Sequence, residues 1–354
     1  MAYNSQPLVS VVTPVYNEEQ HLATCIESVR NQTYSNWEYT IVDNCSSDSS
    51  RQIALKYAAI DSRIHVCVNE RFLPMLANHN NALRKISPHS KYCKMVFADD
   101  WISPVCLEHM VAVAEPHPTV GIVSAYEQSG EQIRLIGLPR EQIVVPGRDA
   151  CRGFLMDKLL LFGSQNTVMY RADLVRARDP FFVESDMYAD FEACFALLRT
   201  SDLGFVHEVA TFATPRPQSA SAIASDAGAH FRSLLGLLYT YGPDILNADE
   251  FEAVRERILG QYYRFLGRRI YLERSLAFWS YHRETFAALG LEFSRTRLAK
   301  SAARQLIGSI KSPASTWESI WRVSRLRRIR SADMRHIVSG FGADHAERAN
   351  DLER

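Results

Sequence analysis

The segment Lys94–Pro104 reads KMVFADDWISP, and it decides how the rest of the chain is interpreted. Its apolar run, Met95–Ala98, is short and bounded by polar residues, which is typical of a strand buried on both faces of a sheet. Two adjacent carboxylates follow, Asp99 and Asp100. In open α/β sheets ligands bind beyond the carboxyl ends of the strands, and like charges placed there repel unless a cation lies between them. The segment therefore predicts a divalent metal bound to a phosphate group, with two solvated carboxylates in a turn as the alternative.

Strand and helix alternate on the N-terminal side of this segment and continue to alternate beyond it. The predicted strands are Leu8–Thr13 (which Pro14 ends), Tyr39–Val42, Ile64–Val68, Met95–Ala98 and Val120–Ser124, and the predicted helices are Glu19–Asn31, Arg51–Ile60, Leu73–Ile86 and a fourth from near Pro104 to about Glu115. Regular alternation of this kind is typical of βαβ units around a largely parallel sheet. An α/β fold is therefore expected.

The C-terminal part of the chain has a different pattern. A loop rich in Pro and Ser, TPRPQSASAIAS at 214–225, separates the α/β pattern from a region whose apolar spacing is almost entirely helical. We therefore predict two domains, an α/β domain over residues 1–225 and a helical appendage over 226–354.

Composition limits the class of protein. The 354 residues are 47% hydrophobic and 23% charged, which is ordinary for a globular protein with a buried core. The formal net charge is zero, so the molecule as a whole is not a polyanion binder, and nucleic acid is not expected as a partner. Seven cysteines without CxxC spacing favour a reducing compartment over a zinc site or a disulfide framework. Because no signal peptide or membrane span is visible, a cytoplasmic location is expected.

Polar residues follow three of the predicted strands. They are TPVYNEE at 13–19, DNCSSD at 43–48 and the pair Asp99-Asp100. Together with SVRNQT at 28–33 and WEY at 37–39, these motifs closely resemble the family 2 glycosyltransferases over about residues 7–125, and more weakly to about 225. The resemblance implies a GT-A fold and inverting transfer of a sugar from a nucleoside-diphosphate sugar, UDP-linked by default. The implied acceptor is a glycan or lipid-linked glycan of the bacterial surface-glycan type.

The resemblance also assigns roles to residues of the donor site. Asp43 would accept hydrogen bonds from the nucleotide, in a pocket also lined by Thr13, Val15 and Glu18; a helix cap or Asx-turn is the alternative for Asp43. Asp99 and Asp100 correspond to the family's acidic element, which implies Mn²⁺ or Mg²⁺ on the diphosphate.

The acidic element departs from the common Asp-x-Asp-Asp form, because Phe97 stands at the first Asp position. Two carboxylates remain, and the sequence does not decide which of them binds the metal. Trp101 could stack on a sugar face or lie buried under the next helix.

The catalytic base is expected in the segment FFVESDMYADFEACFALL at 181–198. Direct displacement at the anomeric carbon needs a carboxylate that takes the acceptor's proton. The resemblance points to Asp190, with Asp186 as the second choice, whereas both could simply be acids at a helix N-terminus. Gly163 and Ser164 resemble the family's acceptor-side loop.

Two features lie towards the C-terminus. Many relatives carry an Arg-x-His motif where this chain has Arg216-Pro217-Gln218, so Arg216 is expected to neutralise phosphate while Gln218 cannot replace an imidazole ligand. Residues 291–336 contain eleven Arg and Lys against three Asp and Glu, about +8 in net charge. This segment predicts either peripheral contact with anionic lipid at the inner membrane face or a solvated, salt-bridged helix face.

Two other functions were considered for the whole chain. A sugar nucleotidyltransferase would also need a metal and an α/β sheet, but TPVYNEE lacks the glycines of a triphosphate loop. A non-catalytic GT-A-like scaffold is favoured by Phe97 and Gln218, which replace expected functional side chains. The sequence does not identify the sugar, the acceptor or the oligomeric state.

Overall fold

A mixed sheet flanked by helices forms the N-terminal part of the chain. The computed structural model describes residues 6–216, 219–271 and 273–311. The strands of the described residues are β1 Val9–Val15, β2 Trp37–Asp43, β3 Ile64–Val68, β4 Tyr92–Met95, β5 Trp101–Ile102, β6 Val120–Ser129, β7 Gln132–Arg134, β8 Val144–Val145, β9 Met169–Arg171 and β10 Asp202–Ala213. Their order across the sheet is β3-β2-β1-β4-β9-β6-β10-β5, with β7 paired to β6 and β8 paired to β10.

The helices alternate with the first strands and then take over. They are α1 Leu22–Arg30, α2 Ser50–Ile60, α3 Met75–Leu83, α4 Cys106–Ala114, α5 Gly147–Leu155, α6 Ala172–Arg176, α7 Ala189–Leu198, α8 Ala220–Asp226, α9 His230–Ile245, α10 Ala248–Arg269, α11 Leu276–Ala288 and α12 Arg295–Lys311. The α/β fold expected from the sequence is confirmed. Its sheet is parallel from β3 to β4, whereas β9 runs antiparallel to both β4 and β6.

Three local expectations were wrong. The fourth strand is Tyr92–Met95, so most of the apolar run after Met95 lies in the loop that follows the strand. Apolar residues in this loop are buried just as strand residues are, and hydrophobicity alone therefore does not locate the end of the strand. Pro14 does not end β1, because the fixed φ of proline fits extended backbone. Trp101 and Ile102 form a two-residue strand, β5, in a stretch where no strand was expected.

The chain divides into two compact units. The first contains the residues up to Glu184 together with Ala189–Pro215, and the second contains Ser185–Tyr188 and the residues from Arg216 onward. In the first unit, β1 is buried along its whole length and packs with β2, α1 and α4 in one apolar core. The second unit, where described, is built from α8 to α12 around a cluster of aromatic rings.

Two further observations concern the described residues. Their helices include none that is both long and apolar enough to cross a lipid bilayer. All seven cysteines are free thiols, and five of them are buried.

Candidate active site

The parallel strands bring the predicted donor residues to one edge of the sheet. Asp43 is the last residue of β2 and lies opposite Val15 of β1. On the other side of β1, the Val96 N–H at the end of β4 donates to the Val12 carbonyl at 3.0 Å. Asp43 thus ends β2 and Asp99 lies in the loop after β4, and these are the two strands that flank β1. The sheet therefore has one acidic edge.

The loops after β1 and β2 are fastened to each other. The Glu18 N–H donates to Ser50 Oγ at 2.7 Å, and the Glu19 N–H donates to Asp48 Oδ2 at 3.0 Å. In return, the Ser49 N–H donates to a Glu19 carboxylate oxygen at 2.9 Å. Asn17, at φ 52°, accepts the Ser47 N–H at 2.8 Å. Small polar residues in these loops are therefore used to satisfy each other's backbone, which fixes the rim around Asp43.

Asp43 is buried, and only one of its oxygens has a partner. Its side chain is 1% exposed, and Oδ1 accepts the Ser46 N–H at 3.3 Å. Oδ2 is buried and accepts no hydrogen bond from the described residues. The turn predicted as the alternative role for Asp43 accounts for Oδ1 alone. A buried acceptor without a donor costs free energy, so an N–H or O–H of a ligand at Oδ2 would be favourable.

The other residues predicted for the donor pocket differ in burial. Thr13 is fully buried, and its hydroxyl donates to the Val96 carbonyl at 2.7 Å and lies 2.8 Å from Tyr39 Oη. Val15 is 1% exposed, whereas Glu18 is half-buried with a carboxylate oxygen 3.5 Å from His21 Nδ1. Thr13 therefore links β1 to β2 and to the residue after β4, and the pocket roles of Thr13, Val15 and Glu18 stay predictions.

Asparagines hold the next layer of the rim. The Asn44 side chain bonds both backbone groups of Leu73, at 2.8 and 2.9 Å, and its Oδ1 also accepts Asn69 Nδ2 at 2.8 Å. Asn69 in turn donates to Asn78 Oδ1 at 2.9 Å and accepts from Asn81 Nδ2 at 2.7 Å. Asn69 was not predicted from the sequence, although an asparagine directly after a strand is a recognisable signal. These side chains are committed to the framework.

The two acidic residues after β4 have different environments. Asp100 is 6% exposed; its Oδ1 accepts the Thr214 N–H at 2.9 Å and its Oδ2 accepts Asn166 Nδ2 at 3.1 Å. Asp99 is half-buried, and its main-chain carbonyl accepts the Thr214 hydroxyl at 2.7 Å. The alternative of two solvated carboxylates is therefore wrong for Asp100, because both of its oxygens are bonded to the protein.

The residues at this edge could hold a divalent cation only if a bound ligand supplied further coordinating oxygens. Among the described residues, no three His, Cys, Asp or Glu side chains converge on a common point. Mg²⁺ and similar hard cations are commonly held by one or two carboxylates, with phosphate oxygens and water completing the shell. The residues present suit a metal that arrives with a diphosphate and do not form a preformed cage.

The N-terminus of α7 packs against the loop that contacts Asp100. Asp190 lies in the first turn of α7, half-buried, and its Oδ1 accepts the Phe191 N–H at 2.9 Å. A Cβ at Gly163 would lie 2.8 Å from the Phe191 ring, so only glycine allows this close approach. Gly163 is three residues before Asn166, and Asn166 donates to Asp100. This packing therefore connects the start of α7 to the acidic pair. Asp186 belongs to the second unit, where its Oδ1 accepts the Tyr188 N–H and the Ser233 hydroxyl.

Aromatic rings flank the acidic pair. Trp101 is 37% exposed, and its ring stacks on Phe212 with centroids 5.4 Å apart and planes 2° from parallel. The alternative in which Trp101 is buried under a helix is therefore wrong, since its partner is a strand residue of β10. The Phe97 ring, in the place of the family's first acidic residue, lies 5.5 Å from the buried ring of His79.

Arg216 and the segments after it complete the predicted site residues. Arg216 is half-buried and is the first residue of the C-terminal stretch of the second unit. Gln218 lies outside the described residues, as does the part of the basic segment 291–336 beyond residue 311.

Comparison with known proteins identifies the class of this sheet domain. Residues 10–177 match the family model "Glycosyl transferase family 2". TuaG of Bacillus subtilis, a proposed teichuronic acid biosynthesis glycosyltransferase, is 38% identical over 97 residues, 27% of this chain and 38% of TuaG. EpsE of the same species, also a proposed glycosyltransferase, is 32% identical over 160 residues, 43% of this chain and 57% of EpsE. Over residues 10–177 the α/β part of this chain is similar to a family 2 glycosyltransferase domain.

Another relative has a more specific description. WfgD of Escherichia coli, a UDP-Glc:α-D-GlcNAc-diphosphoundecaprenol β-1,3-glucosyltransferase, is 37% identical over 97 residues, 27% of this chain and 37% of WfgD. The match to each of these three relatives covers less than two thirds of that relative's length.

Solved structures of low sequence identity share the fold. Staphylococcus aureus TarS 1–349 in complex with UDP-GlcNAc aligns with a TM-score of 0.58 at 18% identity, over 79% of this chain and 80% of that chain. The mannosyltransferase PcManGT of Pyrobaculum calidifontis, in complex with GDP-Man and Mn²⁺, aligns with a TM-score of 0.52 at 15% identity, over 95% and 86%.

Proposed function

We propose that this protein transfers a sugar, with inversion, from a nucleoside-diphosphate sugar to a glycan or lipid-linked glycan acceptor. The observation that carries the proposal is Asp43: its carboxylate is buried at the carboxyl end of β2, and its Oδ2 accepts no hydrogen bond from the described residues. A base N–H or a ribose hydroxyl would supply the missing donor. UDP is the preferred nucleotide, since TarS binds UDP-GlcNAc and WfgD is named for UDP-Glc.

At the diphosphate end of the site, Asp99 is the proposed metal ligand. Both oxygens of Asp100 already accept bonds from the protein, so binding a cation through Asp100 would compete with Asn166 and Thr214. Bound Mn²⁺ or Mg²⁺ would neutralise the charge that develops on the diphosphate leaving group. Arg216 is proposed to add a further positive charge near the phosphates.

At the acceptor end, Asp190 is the proposed general base and Trp101 the proposed sugar platform. Asp190 lies in the first turn of α7, where Phe191 packs on Gly163, and Gly163 is three residues before Asn166, which donates to Asp100. Trp101 directly follows that pair and exposes part of an aromatic ring. A lipid-linked acceptor is proposed by analogy with the name of WfgD.

A peripheral membrane contact through 291–336 remains part of the proposal. In the described part, Leu306 and Ile307 are 47% and 52% exposed at the end of α12, which carries several cations. Arg297, by contrast, is paired with Glu256 at 3.0 Å, as expected for a salt-bridged helix face. Sedimentation with vesicles of anionic or of purely neutral lipid distinguishes a membrane contact from a salt-bridged helix face. Only a membrane contact predicts selective binding to anionic vesicles.

Donor hydrolysis tests the proposed reaction. A panel of UDP-sugars is incubated with wild-type protein and Mn²⁺, and released UDP is measured, with thermal stabilisation by UDP as an independent record of binding. Asp190→Asn is expected to lower turnover by about 10²–10⁴-fold while UDP still stabilises the protein. Asp186→Asn is the matched control and should retain most of the turnover.

Three outcomes of this assay would count against the proposal. Undiminished turnover in Asp190→Asn would remove Asp190 as the base. Loss of turnover in Asp186→Asn alone would transfer the role to Asp186. A wild-type protein that neither hydrolyses nor is stabilised by any nucleotide sugar would favour the scaffold function.

A further inference from the structure

Lys94 is a fully buried lysine below the acidic pair. It lies on β4 with no exposed surface, and its Nζ donates a short hydrogen bond to the main-chain carbonyl of Asn166. Lysine is rarely buried to this extent, because removing an ammonium group from water is costly. Burial lowers the pKa of Lys94, while the nearby acids Glu127 and Asp100 act in the opposite direction. The side chain therefore requires a role that an apolar residue of similar size could not perform.

Asn166 connects Lys94 to the acidic pair. This residue is also fully buried, and each of its polar groups faces a different part of the site. Its carbonyl accepts Lys94 Nζ, its Nδ2 donates to Asp100 Oδ2 at 3.1 Å, and its Oδ1 accepts the Phe97 N–H at 3.4 Å. Asn166 thus holds both ends of the tetrapeptide 97–100, and it is itself held by Lys94.

Nearby acids offset part of the cost of burying the Lys94 ammonium group. Glu127 of β6 is 6% exposed, and burial raises the pKa of its carboxyl group. Its carboxylate lies 3.5 Å from Arg134, so it already has an exposed partner of its own. Asp100 accepts hydrogen bonds from Asn166 and Thr214, and its negative charge also attracts Lys94.

We propose that Lys94 and Asn166 are positioning residues for the acidic pair. They hold Asp100 in place, and Asp100 in turn fixes the backbone of the turn from which Asp99 reaches the diphosphate end of the site. This inference rests on the proposed function, in which Asp99 acts on a metal and diphosphate. Lys94 itself contacts no substrate, and its effect on turnover passes through Asn166 and Asp100.

A double-mutant cycle on donor hydrolysis tests the connection. Lys94→Met is expected to lower Mn²⁺-dependent turnover about tenfold, as is usual when a residue that supports a metal ligand is removed. In an Asp100→Asn background the same substitution should cause no further loss, because the path through Asp100 is already broken. Asn166→Ala should behave likewise, and it leaves the carbonyl that Lys94 contacts intact. Independent, multiplying losses would overturn the proposal.

Amide hydrogen exchange provides a readout that does not depend on activity. In Lys94→Met and in Asn166→Ala, exchange of the Phe97 and Thr214 amides should accelerate by at least about tenfold, because their acceptors are no longer held. Lys91→Met is the control, since Lys91 lies three residues earlier, is half exposed and pairs with Glu115 at 2.6 Å. Unchanged protection at Phe97 and Thr214 in both variants would overturn the positioning role.

The two readouts also separate this proposal from the proposed function. Absence of turnover in the wild-type protein would reject the proposed reaction, and the exchange rates would still decide whether Lys94 and Asn166 hold the turn. If Lys94→Met does not fold, Asn166→Ala carries the same two measurements.

Discussion

The end of β2 and the turn after β4 each present a buried aspartate, but the two carboxylates have opposite environments. Asp43 is 1% exposed, and one of its oxygens accepts no bond from the described residues. Asp100 is 6% exposed, and both of its oxygens accept bonds from the protein. Both carboxylates are therefore buried, and they differ in how many of their oxygens accept hydrogen bonds from the protein. A buried carboxylate with an unused acceptor is suited to binding a ligand, whereas one with all acceptors used is part of the framework.

The largest expected effect is on nucleotide binding at Asp43. In Asp43→Asn, the position of Oδ2 is taken either by an amide nitrogen, which cannot accept a hydrogen bond, or by an uncharged amide oxygen. UDP affinity should therefore fall by about a hundredfold, the value of a hydrogen bond to a charged group. The free energy of unfolding without ligand should not fall, because Oδ2 has no protein donor to lose. Calorimetric titration with UDP and urea unfolding measure the two quantities. A strongly destabilised variant would place Asp43 in the framework.

The reverse pattern is expected for Asp100. In Asp100→Asn, one of the two donors, Asn166 Nδ2 or the Thr214 N–H, faces an amide nitrogen, and the free energy of unfolding should fall by about 2–3 kcal/mol. UDP affinity measured without metal should change less than about threefold, since the hydrogen bonds from Asn166 and Thr214 to Asp100 do not involve Asp43. Urea unfolding and the same titration give both numbers. A stable variant that has lost UDP binding would remove the distinction between the two aspartates.

A buried histidine near the acidic turn extends the comparison to pH. Burial lowers the pKa of His79 to about 4, below the unfolded value of 6.5. As the pH falls below 6.5 the unfolded chain binds a proton that the folded chain does not, so stability is lost down to about pH 4. His79 should account for between about 1 and 2 kcal/mol of the loss between pH 7 and 5.5.

Urea unfolding at several pH values measures this loss, with His79→Gln as the comparison. His282, whose pKa burial lowers to about 3, contributes to the same slope in both proteins, so the difference between them isolates His79. Identical pH slopes would show that His79 does not stay neutral in the fold.

The smallest expected effect is at Thr13. Thr13→Val removes the hydroxyl that donates to the Val96 carbonyl at 2.7 Å, and it should lower the free energy of unfolding by about 1 kcal/mol. UDP affinity should stay the same, because the hydroxyl is directed into the sheet. Thr13→Ser keeps the hydroxyl and is the control. A fall in UDP affinity in the valine variant alone would return Thr13 to the donor pocket as predicted from sequence.

Much of the fold followed from local pattern. Alternating apolar runs and helical spacing predicted the first strands and helices because burial of one face requires that periodicity. The motifs at strand ends predicted that their carboxylates lie at one edge of the sheet. The short strands β5, β7 and β8 were missed, since strands of two or three residues carry no measurable period. The antiparallel direction of β9 was not predicted either, because it depends on the long connection before this strand.

What the sequence determined by itself is the acidic edge: carboxylates placed directly after strands must meet where parallel strands end. What only the tertiary structure decided is which carboxylates are available there. Asp99 and Asp100 are indistinguishable in the sequence, and their difference comes from Asn166 and Thr214, which lie 66 and 114 residues from Asp100 along the chain. Hydrogen-bond donors that arrive from such distances are set by the packing of β9 and β10, and no local pattern records them.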